Sequence, residues 1–327
     1  MREIVLLIGL SFLTVASAAP FAGSALAQAD YPNQPIKMIV GNTAGSASDS
    51  LGRVLSTRLS QHMGQQFLIV NQPGAGGTIG AETVARAAPD GYTLYITSTQ
   101  AHAISPHLYP KAKYKPLEDF AAVTMVAKTE NILVVPASSP FKSLAELIAH
   151  AKANPGKLTI ANAGPGSQSH LSGAMFNNLA KIDMLEVPYK GAASVTAIAG
   201  AQNDVTIAPQ PALIGLINGG KLRALAMGGA TRSKLMPDLP TLDESGVKGF
   251  ASTGWTGIVV PRGTPQAVID KLRAAIIKTV EEPVIADALI KAGGEPWTTS
   301  IAEMEKFMAD DLARYGEAVR LTGAKVE

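Results

Sequence analysis

Four stretches of the chain share one pattern: a short β-type run, a loop of small and polar residues, and the start of a helix. They are PIKMIV before GNTAGSASD, YTLYITST before QAHAIS, KLTIAN before AGPGSQSH, and DVTIA before PQP. Each loop offers backbone N–H groups and neutral side-chain donors at a helix N-terminus, where the helix dipole favours an anion. None of the four loops contains Lys or Arg. The pattern therefore indicates reversible binding of a small carboxylate rather than a bond-breaking reaction.

The first three loops are called loop one (residues 41–49), loop two (residues 98–102) and loop three (residues 164–170). Helix N-capping alone could explain the hydroxyl and carboxyl groups of loops one and three, but loop one is longer than a cap requires. We therefore expect both loops to contact a ligand. Asp49 would repel an anion if its side chain pointed inward. We expect it to orient the backbone or water, or to pair with an amine on the ligand.

Other chemistries have less support. The chain has no G-x-S-x-G elbow and no H-E-x-x-H motif, which are signatures of hydrolases. A secreted hydrolase acting on a carboxylate or an ester through Ser169 and His170 is the alternative, but neighbours at one helix start usually point apart. His102 and His107 lie five residues apart with Pro106 between them, which is not the spacing of a helical zinc pair. We predict a protein that is not an enzyme and that uses no metal or cofactor.

Two glycine-rich segments each lack a residue that nucleotide binding requires. Residues 74–80 fail the G-x-G-x-x-G pattern because position 79 is isoleucine. Residues 215–221 (GLINGGK) nearly spell a phosphate-binding loop, but Leu222 follows them in place of Ser or Thr. We interpret the first segment as a structural turn, and Gly219 with Gly220 as a helix C-cap.

Composition excludes several classes of protein. The chain has 327 residues, of which 46% are hydrophobic and 17% charged, and these fractions are typical of globular proteins rather than disordered chains. The formal net charge is only +2, and no basic block indicates a nucleic-acid partner. There is no cysteine, which excludes disulfides, a thiol nucleophile and thiolate metal ligands.

The N-terminus has the features of a secretory signal peptide. Arg2 precedes an apolar run over residues 4–15, and Ala25-Leu26-Ala27 fits the rule for cleavage before Gln28. An uncleaved anchor is the alternative, but the run is shorter than the ~20 residues that a bilayer span needs. We expect residues 1–27 to be a cleaved signal peptide and the mature protein to be exported to a bacterial periplasm.

The rest of the chain alternates between β-type runs and amphipathic helices. Such alternation predicts an α/β fold with mainly parallel sheets and helices on both faces. The length fits two domains of ~100–150 residues. We expect the chain to cross between two lobes near residues 123–128 and 255–261. A cleft between hinged lobes is a preferred place for a ligand.

Several segments, spread over nearly the whole mature chain, match one known family. They are Tyr31-Pro32 with Pro35-Ile36, NQPGAGGTIGAETVARAAPDGYTL, HAISPHLY, KSLAELIAHAKANPGKL, VPYKG, GGKLRALAM, and MPDLPTLDESG through PRGTP. With these segments the chain resembles the periplasmic solute receptors of tripartite tricarboxylate transporters, also called the Bug family. The resemblance implies a two-lobed type II periplasmic binding protein (a Venus flytrap). Lobe 1 would then hold residues 28–127 and 254–327, and lobe 2 residues 128–253.

The resemblance also implies a function and a binding site. Members of the family bind small carboxylic acids between their lobes. The chain is therefore expected to bind a di- or tricarboxylate, or an aromatic carboxylate, as a monomer and to deliver it to a membrane permease. A module that presents the ligand to a sensor protein is a further alternative. Carried over onto this sequence, the ligand-binding positions are Thr43, Ala44, Gly45, Ser46, Ser48, Asp49, Thr99, Gln100, His102, Gly164, Pro165, Gly166, Ser167, Ser169, His170 and Gln210.

Loop one departs from the family pattern, which has a proline, a small apolar stretch, a Gly-Gly pair and an aspartate. Here the glycine pair is reduced to Gly45-Ser46, Asn42 and Thr43 add polar groups, and Asp49 is retained. Anion binding is expected to survive this change. The ligand stays open between a dicarboxylate, an aromatic acid such as terephthalate, and an amino acid.

Overall fold

Strands and helices mostly alternate along the chain, as the residue pattern predicts. The structure, a computed structural model, describes residues 31–325, so the predicted signal peptide lies outside the described residues. The strands are β1 (Ile36–Val40), β2 (Phe67–Asn71), β3 (Thr93–Ser98), β4 (Phe120–Pro136), β5 (Thr159–Asn162), β6 (Leu185–Pro188), β7 (Val205–Pro209), β8 (Leu222–Met227), β9 (Thr253–Pro261) and β10 (Glu295–Pro296). The helices are α1 (Ala47–Met63), α2 (Thr78–Ala85), α3 (Ser105–Leu108), α4 (Leu144–Ala153), α5 (Gln168–Ala180), α6 (Ala193–Ala199), α7 (Gln210–Asn218), α8 (Gln266–Val280), α9 (Pro283–Lys291) and α10 (Ile301–Thr322). A 3₁₀ turn at Ala75–Gly77 and a π-helical turn at Gln100–Ile104 complete the described elements.

The strands form one mixed sheet in the order β2-β1-β3-β9-β4-β7-β5-β6, with β8 and β10 also paired to β4. β1 is parallel to β2 and β3, and β5 is parallel to β6 and β7. β4 runs antiparallel to β9, β7, β8 and β10. The predicted α/β class is confirmed. The sheet is mixed rather than mainly parallel, because the antiparallel strands β9 and β4 join the two groups of parallel strands.

β4 changes its partner strand part-way along its 17 residues. It pairs with β9 as far as Glu130, which lies opposite Thr253, and with β7 from Asn131, which lies opposite Pro209. The two segments predicted to cross between lobes lie in β4 and β9, which pair with each other. The lobe boundaries themselves stay a prediction.

α10 is defined at both ends by local sequence signals, and it packs on two parts of the core. Ser300 and Glu303 form a reciprocal capping box at its start, and Gly323 ends it with φ 61°. Met308 belongs to the apolar cluster around β3 and β9, whereas Tyr315 belongs to the cluster around β5 and β7. One helix therefore buries apolar surface in two clusters of the core, one on each side of β4 in the sheet.

The two glycine-rich segments have the structural roles that were predicted. Residues 74–80 form the 3₁₀ turn and the start of α2. α7 ends at its C-cap Gly219, and Gly220 has φ 66°. These elements belong to one compact unit that begins at Pro32. Within the described part of the chain, no helix is both long enough and apolar enough to cross a bilayer.

Candidate ligand-binding site

Loop one leads from β1 into the first turn of α1. Ser46 is the N-cap, and its hydroxyl accepts a hydrogen bond from the N–H of Asp49 at 3.3 Å. The N–H of Ser50 is bonded to the carbonyl of Ser46 at 2.9 Å. The N–H groups of Ala47 and Ser48, the first two positions of the helix, have no partner among residues 31–325. These two donors are available to an anion at the positive end of the helix dipole.

Asp49 holds the backbone of its own loop. Its Oδ2 atom accepts hydrogen bonds from the N–H of Gly45 and from Arg53 Nε, both at 2.9 Å, and its Oδ1 atom accepts one from Asn71 Nδ2 at 2.9 Å. Hydrogen bonding from Arg53, with smaller contributions from Gly45 and Asn71, outweighs burial and lowers the pKa of Asp49 to about 2. The buried carboxylate is thus ionised and neutralised locally, so its charge does not oppose an anion at the helix start.

Loop three repeats this construction between β5 and α5. Ser167 is the N-cap, and its hydroxyl accepts from the N–H of His170 at 3.2 Å. The Ser169 hydroxyl accepts from the N–H of Ala163 at 2.9 Å, which fixes the preceding backbone. The N–H groups of Gln168 and Ser169 have no partner within the described residues. A second helix therefore presents two unpaired donors from its first turn.

Loop two lies against β9, and its histidine is buried. Thr99 Oγ1 accepts a hydrogen bond from the N–H of Trp255 at 2.9 Å. His102 is 1% exposed and packs edge-on against Trp255, with 5.8 Å between the ring centroids. Burial lowers the pKa of His102 to about 3, so the imidazole is neutral. Its ring therefore offers no positive charge to a carboxylate.

Close contacts connect loop one with loop two through the predicted structural turn. Gly41 packs on Gly77, where an added Cβ would lie 2.8 Å from the Gly77 Cα atom. The neighbouring carbonyl of Gly76 accepts a hydrogen bond from Ser105 Oγ at 2.9 Å. Gln100 Nε2 donates to the same Ser105 hydroxyl at 3.2 Å. Glycine is required at position 41 because a side chain would clash with this backbone.

Loop three is connected to the same region. A Cβ added to Gly166, which has φ 72°, would lie 2.6 Å from Leu108 Cδ1 in α3, just after loop two. Gln168 Nε2 donates to the Tyr315 hydroxyl of α10 at 3.0 Å. Loops two and three thus both rest on β9, α10 and α3. Loop two thus lies beside the turn that contacts loop one and beside α3, which contacts loop three. The ligand-binding role of these residues stays a prediction.

Residues 51–323 match the sequence pattern of the Tripartite tricarboxylate transporter family receptor. The chain belongs to this family. The match begins two residues after Asp49, so loop one lies outside it.

Relatives of the receptor support the same assignment. Protein BugT of Bordetella pertussis is 34% identical over 329 residues, which cover 100% of this chain and 99% of that protein. A UPF0065 protein in the tcbD-tcbE intergenic region of Pseudomonas sp. strain P51 is 36% identical over 273 residues, 81% of each chain. The receptor thus belongs to a family of periplasmic solute-binding proteins.

Solved structures share the fold. A TctC solute-binding protein from Polaromonas is 28% identical with a TM-score of 0.82, and the match covers 89% of this chain and 99% of that one. Rpa4515 of R. palustris, solved with adipate, is 32% identical with a TM-score of 0.73, covering 91% and 100%. MatC from Rhodopseudomonas palustris, with bound malate, is 29% identical with a TM-score of 0.69, covering 88% and 100%. The receptor therefore has the fold of periplasmic binding proteins.

Ser169 and His170 do not form a nucleophile and base pair in the receptor. The Ser169 hydroxyl contacts the N–H of Ala163 and the hydroxyl of Ser167, at 2.9 and 3.2 Å. His170 accepts from the N–H of Gly166 at its Nδ1 atom, and its Nε2 atom lies 2.8 Å from a Glu186 carboxylate oxygen. Both imidazole nitrogens of His170 therefore contact groups other than Ser169. The Ser169 hydroxyl thus lacks the contact with a general base that the nucleophile of a hydrolase needs.

Two cavities of the receptor are each lined by one predicted ligand residue. The larger, of about 1170 Å³, includes Gln210 with parts of β4, α7 and α9 in its wall. The smaller, of about 410 Å³, includes His170 beside Glu186. Neither wall contains another of the predicted positions. Gln210 and His170 are thus the two predicted positions that line one of these cavities.

Trp255, which loop two contacts, is also bonded to a buried carboxylate. Trp255 Nε1 donates to Asp311 Oδ2 at 2.8 Å, and Arg314 Nη1 donates to Asp311 Oδ1 at 2.6 Å. Burial raises the pKa of Asp311 from 3.8 to about 6, although the Trp255 bond and Arg314 oppose the shift. The folded receptor therefore retains a proton on Asp311 at a pH where the unfolded chain has lost it.

This difference predicts a pH dependence of stability. Because the folded state binds more protons between about pH 4 and 6, the Asp311 contribution to the free energy of unfolding falls as the pH rises through that window, by at most about 3 kcal/mol. Asp311→Asn cannot ionise and should remove this part of the slope. Urea unfolding followed by tryptophan fluorescence at several pH values measures it. If the free energies of unfolding of wild type and Asp311→Asn change with pH in the same way between about pH 4 and 6, Asp311 is not the cause of the slope.

Proposed function

We propose that the receptor binds a small dicarboxylate with the first turns of α1 and α5 and delivers it to a tripartite-type membrane permease. The observation that carries the proposal is the set of unpaired N–H groups in those turns, which belong to Ala47, Ser48, Gln168 and Ser169. Backbone donors at a helix start bind anions without a formal cation. Two such helix starts match the two carboxylates of one ligand.

The local chemistry favours reversible binding. The loop carboxylate, Asp49, is neutralised by Arg53, and no Lys or Arg lies within loops one to three. Hydrogen bonds from neutral donors to a charged group contribute about 1.5–3 kcal/mol each, so a few of them suffice for binding that can be reversed at the membrane. A ligand that contacts both helix starts would favour the conformation in which they are close together.

The solved neighbours with adipate and with malate make dicarboxylates the first class to test. In a thermal-shift and calorimetry series over adipate, malate, a tricarboxylate, terephthalate and an acidic amino acid, we expect a dicarboxylate to bind best. At a hundredfold excess over Kd it should stabilise the receptor by about 2.7 kcal/mol. Stabilisation by neutral or cationic solutes alone would show that the ligand class is wrong.

Delivery is tested separately from binding. Uptake of the radiolabelled dicarboxylate by vesicles that contain a tripartite-type permease should require added ligand-loaded receptor. Uptake that is equally fast without the receptor would contradict the delivery step and leave the binding result unaffected.

A further inference from the structure

The cap of the helix that follows loop three contains a histidine where Glu or Gln is usual. In a capping box, Glu or Gln at the third helical position accepts a hydrogen bond from the N–H of the N-cap residue, as Glu303 does for Ser300 in α10. The N-cap of α5 is Ser167, and His170 holds the third position. His170 Nδ1 accepts from the N–H of Gly166, the residue before the N-cap, at 3.1 Å. The imidazole thus takes the role of the capping-box side chain.

The imidazole can accept at Nδ1 only if that nitrogen carries no proton. A neutral ring donates from one nitrogen and accepts at the other, whereas a charged ring donates from both. The bond from Gly166 therefore requires the neutral tautomer of His170 with its proton on Nε2. The other tautomer, or the charged ring, would direct an N–H at the N–H of Gly166. Which nitrogen holds the proton is set by the partner of the other nitrogen.

Glu186 is that partner, and it lies on the neighbouring strand β6. Its Oε2 atom is 2.8 Å from His170 Nε2 and accepts the proton there. The same oxygen accepts from Nδ2 of Asn162, the last residue of β5, at the longer distance of 3.5 Å. Asn162 Oδ1 in turn accepts from the N–H of Gly164 at 3.0 Å. One carboxylate oxygen is therefore linked, through two side chains, to the N–H groups of Gly164 and Gly166.

These bonds hold the least regular part of loop three. Gly164 has φ 107° and Gly166 has φ 72°, both in the left-handed region that favours glycine. Pro165 between them has no N–H to donate. The unpaired donors of Gln168 and Ser169 follow directly in the chain. Freedom at the two glycines would spread the directions of these donors, and ordering them again would cost binding energy.

We propose that Glu186 is a positioning residue for the dicarboxylate. Its carboxylate fixes the tautomer of His170, and His170 then holds Gly166 and the start of α5 in the conformation that binds the anion. The arrangement also avoids a carboxylate in the first turn of α5, where a capping-box Glu would repel the ligand. The inference rests on the proposed function and adds to it a residue outside loops one to three.

Two substitutions of Glu186 separate its hydrogen bond from its charge. Glu186→Leu removes the acceptor and should weaken binding of adipate and malate about tenfold in calorimetry, equivalent to about 1.4 kcal/mol. In Glu186→Gln the amide oxygen should occupy the place of Oε2, because His170 and Asn162 both direct donors at that point. This variant should bind within about twofold of wild type. If Glu186→Gln loses as much affinity as Glu186→Leu, the hydrogen bond is not the cause and the proposal fails.

Asp204→Ala is the matched control for loss of stability. Asp204 Oδ2 accepts from the N–H and from the hydroxyl of Thr159, both at 2.8 Å. Thr159 starts β5, whereas Asn162 ends it beside loop three. Asp204→Ala should lower the melting temperature but leave the Kd of both dicarboxylates within about twofold. Equal losses of affinity in Asp204→Ala and Glu186→Leu would show that Glu186 acts only through general stability.

NMR of the ligand-free receptor with isotope-labelled histidine measures the tautomer directly. The chain has five histidines, so a His170→Ala sample assigns the His170 signals by difference. At about pH 8, where imidazoles are mostly neutral, wild type and Glu186→Gln should carry the proton on Nε2, whereas Glu186→Leu should show a mixture of tautomers. A proton on Nδ1 in wild type, or an unchanged tautomer in Glu186→Leu, would contradict the proposal.

Failure of this inference is distinguishable from failure of the proposed function. A wild-type receptor that binds no dicarboxylate at all overturns both. Tight binding of adipate or malate by wild type that Glu186→Leu leaves unchanged overturns only the role of Glu186.

Discussion

Replacing Ala47 by proline is expected to weaken dicarboxylate binding at least tenfold without lowering the stability of the receptor. Proline has no N–H, so the change deletes one unpaired donor at the first position of α1. The helix tolerates it, because proline is favoured at this position. Ser46, with φ −68° and ψ 164°, already has the extended backbone that a residue before proline adopts. Loss of one hydrogen bond to a charged ligand costs about 1.5–3 kcal/mol, or roughly 10- to 150-fold in Kd.

A matched control exists in α8. Gln266 is also exposed, stands at the first helical position, and follows a residue with ψ 137°. Gln266→Pro should leave both the melting temperature and the dicarboxylate Kd nearly unchanged, with only the exposed bond to Asp270 lost. Calorimetric titration of the two variants compares them directly. If Ala47→Pro binds as tightly as Gln266→Pro, backbone donors of α1 do not hold the ligand.

The loops could be predicted from sequence because their signals are local. Ser46 and Ser167 precede their helices by one residue, and cap geometry extends only over the next three positions. The pairing of Asp49 with Arg53, four residues along one helix, has the same short range. Fold class followed from the alternation of strand and helix patterns, which also repeats locally.

The contacts that assemble the loops could not be predicted in the same way. Asn71 reaches Asp49 from the end of the neighbouring strand, 22 residues away in sequence, and Trp255 reaches Asp311 from 56 residues away. Nothing in the sequence around Asn71 or around Trp255 indicates which distant residue each side chain contacts. The register of β1 with β2, in which Asn71 lies opposite Val40, decides which face of the sheet the Asn71 side chain is on.

Two predicted positions show where spacing gives too little information. His102 stands in a polar loop, yet the π-helical turn directs its ring into an aromatic cluster, where burial keeps it neutral. Gln210 starts α7 after a loop of the expected pattern, yet its side chain lines the larger cavity. A helix start fixes the direction of its N–H groups, whereas side-chain direction depends on tertiary packing.

Asp49→Ala is expected to destabilise the receptor by about 2–4 kcal/mol and to weaken dicarboxylate binding more than tenfold. It leaves the N–H of Gly45, two residues before the first unpaired donor of α1, without its acceptor, and it leaves Asn71 Nδ2 bonded only to the carbonyl of Asn42. The ion pair with Arg53 accounts for little of this loss, because the Arg53 side chain is 55% exposed. Arg53→Gln is therefore the matched control, with an expected destabilisation below about 1 kcal/mol.

The pH dependence of the Asp49→Ala effect separates the carboxylate from simple loss of side-chain volume. Since the folded-state pKa of Asp49 is about 2, below its ordinary 3.8, the carboxylate stabilises the fold above about pH 4 and stops doing so as the pH falls towards 2. The free energies of unfolding of wild type and Asp49→Ala, measured with urea, should therefore approach each other as the pH falls towards 2. A difference that persists at low pH would assign the loss to packing. A destabilised variant with unchanged affinity would show that the backbone held by Asp49 is not part of the binding site.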